Sequence, residues 1–460
     1  MPPSPSWVAP RLAAYAKRTP RPVRFEEMLK FGERPSQSTL LQAAKFLADE
    51  ISVRLAHRYA ELETLPYGLK EMHAVHQVKS WYAESFKDLV EFYNVIDAHR
   101  RNPSLGCKFE SEHGMQGMGS WFSKLIGGAR GRKDEFDVLP PGLASTAALD
   151  MTRPSVMPAV NQVSAEADSL AYFGQCQSPH LVNAAPAYNK QFNTILKRIV
   201  DRHNPVVVIV GKGVRQLTQS HPYLPEHHPE VQSFLNRFHR NRVGVRILIG
   251  HHLALQRQHR FPHHIGIVCT RTSVVDVASE ASVDAAEVCE QSYGVSPPVE
   301  IQIPEGGVPD FVYVPSHMHH IIFEICKNAM RAVVEKEETR VGRGEAKRQD
   351  LPPVVINVQV RGDDIVIRVS DKGVGIPVRE VDRAFQYAYT TAKQAPIDPD
   401  FHGSEVDGAP MAGFGYGLPL SQLYARYFKG DLTLQSREGL GTDVFFTVKR
   451  DWVGDEPVLM

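Results

Sequence analysis

From about residue 25 to residue 93, apolar residues recur at spacings of three and four, in Leu40, Leu41, Ala44, Leu47, Ala48 and Ile51 and again in Trp81, Tyr82, Phe86, Leu89 and Phe92. That period places them on one face of a helix and predicts helices packed through it. The pattern fails between 103 and about 163, where Gly106, Gly114, Gly117, Gly119, Gly127, Gly128 and Gly131 are interspersed with Ser, Pro and Met. So long a stretch without period is out of place inside a compact domain, and 103–163 reads as a disordered insert. Helical spacing resumes over 188–217 and 231–257. Residues 25–293 are therefore predicted to form a helical domain, a four-helix bundle.

After Tyr293 the texture changes. Short β-branched runs follow at 299–303, 354–360, 365–369, 432–434 and 444–448, alternating with helical segments around Glu324 and over 419–428. Strands interleaved with helices predict an α/β sandwich over 294–450, so the fold class is α+β. Tyr-Gly-Val-Ser-Pro-Pro at 293–298 supplies the turn chemistry of a domain boundary. Charged, glycine-containing residues 337–353 read as an exposed loop, and 451–460 as a short tail.

Residues 320–331 form a helix with two opposite stripes. Ile322, Ile325, Ala329 and Ala332 can face a core, while His320, Glu324, Asn328 and Arg331 line the other side. Any one of these polar residues could belong to a solvated face with i,i+4 pairs. Four in register with glycine turns further on suggest a site. Asn328 offers a neutral carbonyl oxygen, which suits Mg²⁺, and Lys327 and Arg331 can meet phosphate charge. Glu324, one turn before Asn328, is placed to accept a proton from an attacking hydroxyl. His320, a turn further back, can hydrogen-bond to Glu324 and adjust its basicity.

Three glycine turns supply the other parts of a nucleotide pocket. In the strand before Asp371, residues Ile365, Ile367 and Val369 point to one face, and Asp371 continues that parity. A carboxylate aimed at the covered face needs donors, and the exocyclic amine of adenine is one of suitable size. Taken alone, Asp371-Lys372-Gly373 is an ordinary turn leaving a strand. Gly373 and Gly375 would let backbone approach the purine closely. Gly413, Gly415 and Gly417 alternate with Phe414 and Tyr416 and lead through Leu418 into a helix, so free N–H groups converge as they do around phosphate. A Rossmann reading of these glycines fails, because the preceding 395–412 is polar and loop-like where a strand should enter. That segment, with Thr390 and Thr391, reads as a lid over triphosphate. Gly439-Leu440-Gly441-Thr442 is the third turn.

Bulk properties narrow the field. A chain of 460 residues has room for two domains with their own cores. Lys+Arg and Asp+Glu balance at 52 each, so no net field draws it to nucleic acid or an acidic membrane. No run of about 18 apolar residues exists, which excludes a membrane-inserted helix. Cys107, Cys176, Cys269, Cys289 and Cys326 form no CxxC pair, which argues against a disulfide framework or zinc site and for a reducing compartment. Residues 1–24 carry Arg11, Lys17, Arg18, Arg21 and Arg24 and no acid, compatible with an organellar presequence and equally with a plain basic arm.

The ordered set Glu324-x-x-x-Asn328, Asp371-x-Gly373-x-Gly375, the Gly413 run and Gly441-Thr442 resembles the Bergerat ATP-binding fold of sensor histidine kinases, type II topoisomerases, mismatch-repair ATPases and ninety-kilodalton chaperones. Within that superfamily, Phe-Glu-Ile-Cys-Lys-Asn-Ala-Met-Arg-Ala from Phe323, Gly-Phe-Gly-Tyr-Gly-Leu-Pro-Leu-Ser from Gly413 and Gly-Leu-Gly-Thr-Asp from Gly439 resemble the mitochondrial 2-oxoacid dehydrogenase kinases. Phe31-Gly32, Val53-Arg54-Leu55-Ala56, Val78-Lys79-Ser80-Trp81-Tyr82 and Arg202-His203-Asn204 are similar to that family's helical bundle. The likeness runs over roughly 12–450, apart from 103–163 and 337–353.

The resemblance implies a serine kinase of the mitochondrial matrix that phosphorylates the E1 α subunit of a 2-oxoacid dehydrogenase and switches the complex off. It implies Glu324 as general base beside His320, Asn328 on Mg²⁺, Asp371 on adenine, and Thr390, Thr391, the residues from Gly413 to Leu418 and Thr442 around ATP. Docking on the lipoyl domain of the E2 core, a homodimer formed through the sheet, and K⁺ near the phosphates also follow from it. Asp451-Trp452 resembles the Asp-Trp pair that animal pyruvate dehydrogenase kinases carry in a swapped tail, although here the pair comes straight after the last strand. His320 favours pyruvate dehydrogenase as the target. Gly250-His251-His252-Leu253-Ala254-Leu255 and Gly408-Ala409-Pro410-Met411 are closer to the branched-chain kinase, which is the alternative. Two readings of other classes are a histidine kinase that phosphorylates itself on His203 and an ATP-gated clamp, for which no transducer domain is expected after the ATP site.

Overall fold

The computed structural model describes residues 6–33, 35–101, 179–221, 228–256, 261–342, 351–391 and 415–452. The predicted insert 103–163, the segment 395–412 and the site residues Gly413 and Phe414 lie outside them. The chain divides into two compact units, Met1–Tyr93 with Asn189–Met460, and Asn94–Tyr188. Of the second, the described part is the end of one helix and the start of the next.

Seven helices make the N-terminal half of the described chain: α1 Val8–Tyr15, α2 Phe25–Glu33, α3 Gln37–Glu63, α4 His73–Arg101, α5 Pro179–His203, α6 Val206–Ser220 and α7 Pro229–Leu255. Ser36 starts α3 through a capping box, its hydroxyl accepting from Thr39 N–H at 3.1 Å while the Thr39 hydroxyl accepts from Ser36 N–H at 2.7 Å. Pro205 separates α5 from α6, since it lacks the N–H that a continuous helix needs there. The predicted periodic residues Leu47, Ile51, Phe86 and Leu89 are buried, with Phe192, Leu196, Leu235 and Phe238 from the later helices.

The segment before residue 25 is folded onto this bundle. Val8 and Leu12 of α1 are buried, and the Tyr15 ring stands edge-on to Phe86 at 5.2 Å. Arg18 makes two bonds to the Asp49 carboxylate, at 2.7 and 2.5 Å. Arg54 and Glu50 form a buried ion pair at 2.8 Å, and backbone from the N-terminal strap completes it: Arg54 donates to Arg21 O at 2.9 Å, and Arg21 N–H donates to Glu50 at 3.1 Å. A buried pair needs such extra partners to offset its desolvation. Arg18 and Arg21, two of the cations that suggested a presequence, therefore belong to a docked strap.

The second half contains β1 His264–Ile265, β2 Val268–Thr272, α8 Val274–Tyr293, β3 Val299–Gln302, β4 Phe311–Tyr313, α9 Pro315–Gly342, β5 Val354–Arg361, β6 Asp364–Asp371, α10 Gly417–Tyr427, β7 Asp431–Arg437 and β8 Gly441–Lys449. Five strands form one sheet in the order β3-β5-β6-β8-β7, parallel at β3/β5 and antiparallel elsewhere. Val358, Ile367, Phe446 and Leu432 lie opposite one another across four strands, all buried, under α9 and α10. The next row, Asn357, Arg368, Phe445 and Thr433, points to the other face and is half-buried or exposed. Period-two alternation therefore produces a two-layer sandwich.

Two boundaries differ from the sequence reading. β2 pairs with β4 across the turn at 293–298, and α8 packs along α9, so residues 264–293 join the sandwich. Helical spacing marks the buried face of a helix without saying what buries it. The loop expected from 337 begins later, because α9 continues to Gly342 with Glu337 buried and held by Arg340 at 2.8 Å.

Trp452, just past β8, is 1% exposed within its own chain. Its indole N–H donates to Val312 O at 2.5 Å, and its ring meets Phe25 of α2 and Phe428 edge-on, each at 4.9 Å. Trp452→Phe keeps a ring but leaves the half-buried Val312 carbonyl without this donor. It is expected to lower unfolding stability by about 1–2 kcal/mol in a urea titration, with native secondary structure retained.

Candidate active site

The site forms where the inner face of the sheet runs out of apolar residues. Val369, Val444 and Leu434 make the last buried row, and the next positions on the same face are Asp371, Thr442 and Ser436. Their side chains replace carbon with oxygen at the edge of a cleft that α9 borders with its polar stripe. Glu324, Asn328, Arg331 and Glu335, spaced by three or four, line that cleft together with Lys327. Thr390, Thr391, Gly415, Gly417, Leu418, Asp371, Gly375 and Thr442 line it as well. Twelve of the residues predicted from sequence thus meet in one cavity.

Asp371 is the most perturbed acid here. Burial pushes its carboxyl up to about 6, while the N–H groups of Gly373 and Thr442 act against the shift, and the neighbouring Asp443 adds to it. Gly373 N–H donates to Oδ1 at 2.8 Å, so the carboxylate is fixed in orientation. Lys336 on α9 ties the surrounding turns together, its Nζ donating to Lys372 O at 2.6 Å and Gly439 O at 3.0 Å.

The glycines next to Asp371 serve packing. A side chain at Gly373 would run into the Ala332 backbone, and one at Gly375, whose φ is +68°, would run into Arg437 O. Sequence reasoning assigned both to approach of the purine; the structure gives them a packing role, seating the turn between α9 and the β7–β8 hairpin, and Gly375 lines the cleft as well. Ala332, placed on the core stripe by its spacing, is half-buried, and its carbonyl accepts from Val374 N–H at 3.2 Å.

At the opposite end, α10 begins with Gly417, and an added Cβ there would occupy the place of the Glu324 carboxylate. Glu324 therefore lies at a helix N-terminus, where free N–H groups and the helix dipole favour negative charge. Lys327 Nζ donates to Glu324 Oε1 at 2.7 Å and is only 3% exposed. Its cation thus balances that carboxylate, in addition to facing the cleft. Arg331 donates to Thr391 Oγ1 at 3.3 Å and lies 3.8 Å from Glu335. Gly417→Ala is expected to leave the fold intact, displace the Glu324 carboxylate and cut turnover about tenfold, as small misplacements within a site can do. Steady-state kinetics with a circular dichroism control would check this.

Three described residues of the predicted set do not line the cleft: Gly373, packed against Ala332, and two that lie elsewhere. The His320 ring lies edge-on to Tyr424 at 5.3 Å and Tyr416 is buried toward the bundle; neither lines the cleft. Sequence reasoning also missed Tyr389, Ile376, Leu434 and Val444, which line it. Leu434 and Val444 could have been found by extending the strand parity used for Asp371. Tyr389 and Ile376 sit in irregular segments and carry no periodic signal.

A two-layer sandwich with a carboxylate at a strand end, an acid–amide stripe on the covering helix and a glycine-opened helix N-terminus defines an ATP-binding domain. Residues 313–451 match the family model described as histidine kinase-, DNA gyrase B- and HSP90-like ATPase, and 22–269 match the one described as mitochondrial branched-chain alpha-ketoacid dehydrogenase kinase. The full chain is 32% identical over 441 residues to a mitochondrial [pyruvate dehydrogenase (acetyl-transferring)] kinase of Arabidopsis thaliana, covering 95% of this chain and 92% of the relative. It is 31% identical to the Schizosaccharomyces pombe enzyme of that name, over 94% of each, and 30% identical to isozyme 3 of Homo sapiens, over 96% of this chain and 86% of the relative. The chain belongs to the mitochondrial 2-oxoacid dehydrogenase kinase family, which includes pyruvate and branched-chain dehydrogenase kinases.

Proposed function

We propose that this protein is a serine kinase that phosphorylates the E1 α subunit of the mitochondrial pyruvate dehydrogenase complex and inactivates it. The observation that carries this reading is one cleft lined by Asp371 and Thr442 from the sheet, by Glu324 beside a helix N-terminus and by Asn328 on the same helix as Glu324. Adenine at Asp371 would direct the phosphates toward Glu324, the proposed acceptor of the serine proton. Asn328 would hold Mg²⁺ through its side-chain oxygen. Mg²⁺ when bound neutralises phosphate charge and commonly takes only one or two protein ligands. The donor set fits, since Asn328 brings a neutral side-chain oxygen to the cleft one turn from the Glu324 carboxylate. K⁺ beside the phosphates enters the proposal through family likeness.

Partners and compartment follow the same likeness: the lipoyl domain of the E2 core, a homodimer, and the mitochondrial matrix. The outer sheet face with Arg368 and half-exposed Phe445 supports pairing through the sheet. No described helix is long and apolar enough to cross a membrane.

A branched-chain dehydrogenase target is the second reading, favoured by the description of the family model over 22–269. Self-phosphorylation on His203 is disfavoured. That ring is 5% exposed, stacks on Tyr82 at 4.6 Å, and its Nε2 lies 3.0 Å from Ser85 Oγ. Burial pushes its pKa down to about 3. The deciding experiment incubates the full chain with each E1 component and Mg-ATP and locates the phosphate. Acid-stable phosphoserine on pyruvate dehydrogenase E1 α is the expected product; transfer only to the branched-chain E1, or acid-labile phosphate on the chain itself, would replace the reading.

A further inference from the structure

Gln232 belongs to α7 of the helical domain, yet its amide is engaged with the rim of the cleft. Its Nε2 donates to Tyr387 O at 3.0 Å, and Tyr387 N–H donates to its Oε1 at 2.8 Å. One side chain thus satisfies both backbone groups of a single residue, as a neighbouring strand would. The Tyr387 ring is buried between His239 of α7, at 5.3 Å, and Tyr416, at 5.4 Å. Gly211 of α6 leaves room for the Tyr416 ring, since a Cβ there would press against it.

The rim continues directly from this anchor. Ala388 has φ +67°, a left-handed conformation that a residue with a side chain adopts only where its surroundings enforce it. Its N–H donates to Gly415 O at 3.1 Å, and Gly415, at φ +78°, leaves no space for a Cβ beside Tyr389 O. Tyr389, Thr390 and Thr391 then line the cleft, and Arg331 donates to Thr391. The two rim segments, 387–391 and 415–417, therefore brace each other, and the bundle holds the first of them through Gln232.

We propose that Gln232 is a positioning residue of the nucleotide site, by which the helical domain holds the Tyr387–Thr391 rim in the conformation that receives ATP. This rests on the reading of the cleft as the ATP site. Without the amide, the rim occupies the receptive conformation only part of the time, and apparent affinity falls by that fraction. Once ATP is bound, the reacting groups stand where they did. The loss therefore belongs to Kd and KM, with kcat preserved.

Gln232→Met keeps length and helix propensity but removes both hydrogen bonds. Its control is Asn193→Ala, which removes a bundle hydrogen bond to Gln256 of 2.7 Å remote from the cleft. ATP binding to the full chain, measured by calorimetry well below the melting point, is expected to weaken about tenfold in Gln232→Met and to stay within twofold in Asn193→Ala. Hydrogen exchange at 387–391 should quicken in Gln232→Met without ATP and return toward the wild-type rate with it, while kcat changes less than twofold. If the Met variant melts too early to assay, Gln232→Asn, whose arm is one methylene shorter, should show the same pattern. Equal weakening in both the Gln232 and Asn193 variants, or unchanged affinity in the Gln232 variants, would overturn the proposal. Failure of the wild-type chain to take up ATP would instead overturn the reading of the cleft, and the proposal with it.

Discussion

Glu324→Gln should leave nucleotide binding close to wild type and reduce phosphoryl transfer to E1 by about a thousandfold, within the range associated with a general base. The substitution is nearly isosteric, and its amide oxygen can still accept from Lys327 Nζ, which meets the native carboxylate at 2.7 Å. Gly417 leaves room for the amide at the start of α10 as it does for the acid. What disappears, on the proposed reading of Glu324 as base, is the capacity to take a proton from the attacking hydroxyl. Single-turnover transfer from radiolabelled ATP, alongside calorimetric ATP binding, separates the two effects. Transfer within tenfold of wild type would end the assignment of Glu324 as base.

Asp371→Asn is expected to act in opposite directions on binding and on stability. A carboxylate that already accepts from Gly373 N–H is well suited to a further donor on adenine. An amide presents its NH₂ to one of those donors, so ATP affinity should fall by about 10- to 100-fold, the scale of a lost charged hydrogen bond. The ligand-free protein should become more stable. With the folded carboxyl near 6 and its ordinary value at 3.8, the folded state binds more protons between those limits. Stability therefore declines as pH rises through that window, and the full cost of the ionised buried group is present above it. Removing the charge should recover roughly 3 kcal/mol at pH 7.5 and nothing below about pH 4. Thermal melts of both forms at pH 5 and pH 7.5, without nucleotide, would check the sign. In the wild type, ATP affinity should also weaken as pH falls below 6, and this dependence should be absent from the Asn variant.

Opposed effects at one residue are common where a site is built for a ligand, because the arrangement that suits the complex is costly in the free protein. Lys336 moderates that cost, since its cation lies near enough to Asp371 to oppose the upward shift while its Nζ holds two turns in place.

Much of this architecture was legible in the chain because it obeys simple periods. The alternation through Ile365, Ile367 and Val369 predicted the face on which Asp371 emerges, and the spacing from Glu324 to Arg331 predicted one polar stripe. Both depend only on backbone geometry, which every residue shares. The same reasoning misplaced Ala332, because a helix flank can face either a core or the underside of a turn. It also gave no sign of a second reason why Gly373 and Gly375 are glycine. Only packing shows that the space a Cβ would take at these positions is filled by Ala332 and Arg437.

By itself, the sequence determined the succession of helices and strands, the parity of each buried face and the residue types able to bind a nucleotide, because these depend on local geometry and side-chain chemistry. Tertiary structure alone decided which partners those faces found: α8 with the sandwich, Lys327 with Glu324, Trp452 with its own α2, and Gln232 of the bundle with the rim of the cleft. These pairings join residues far apart in the chain, and no periodic pattern encodes which distant surface will close over a given side chain.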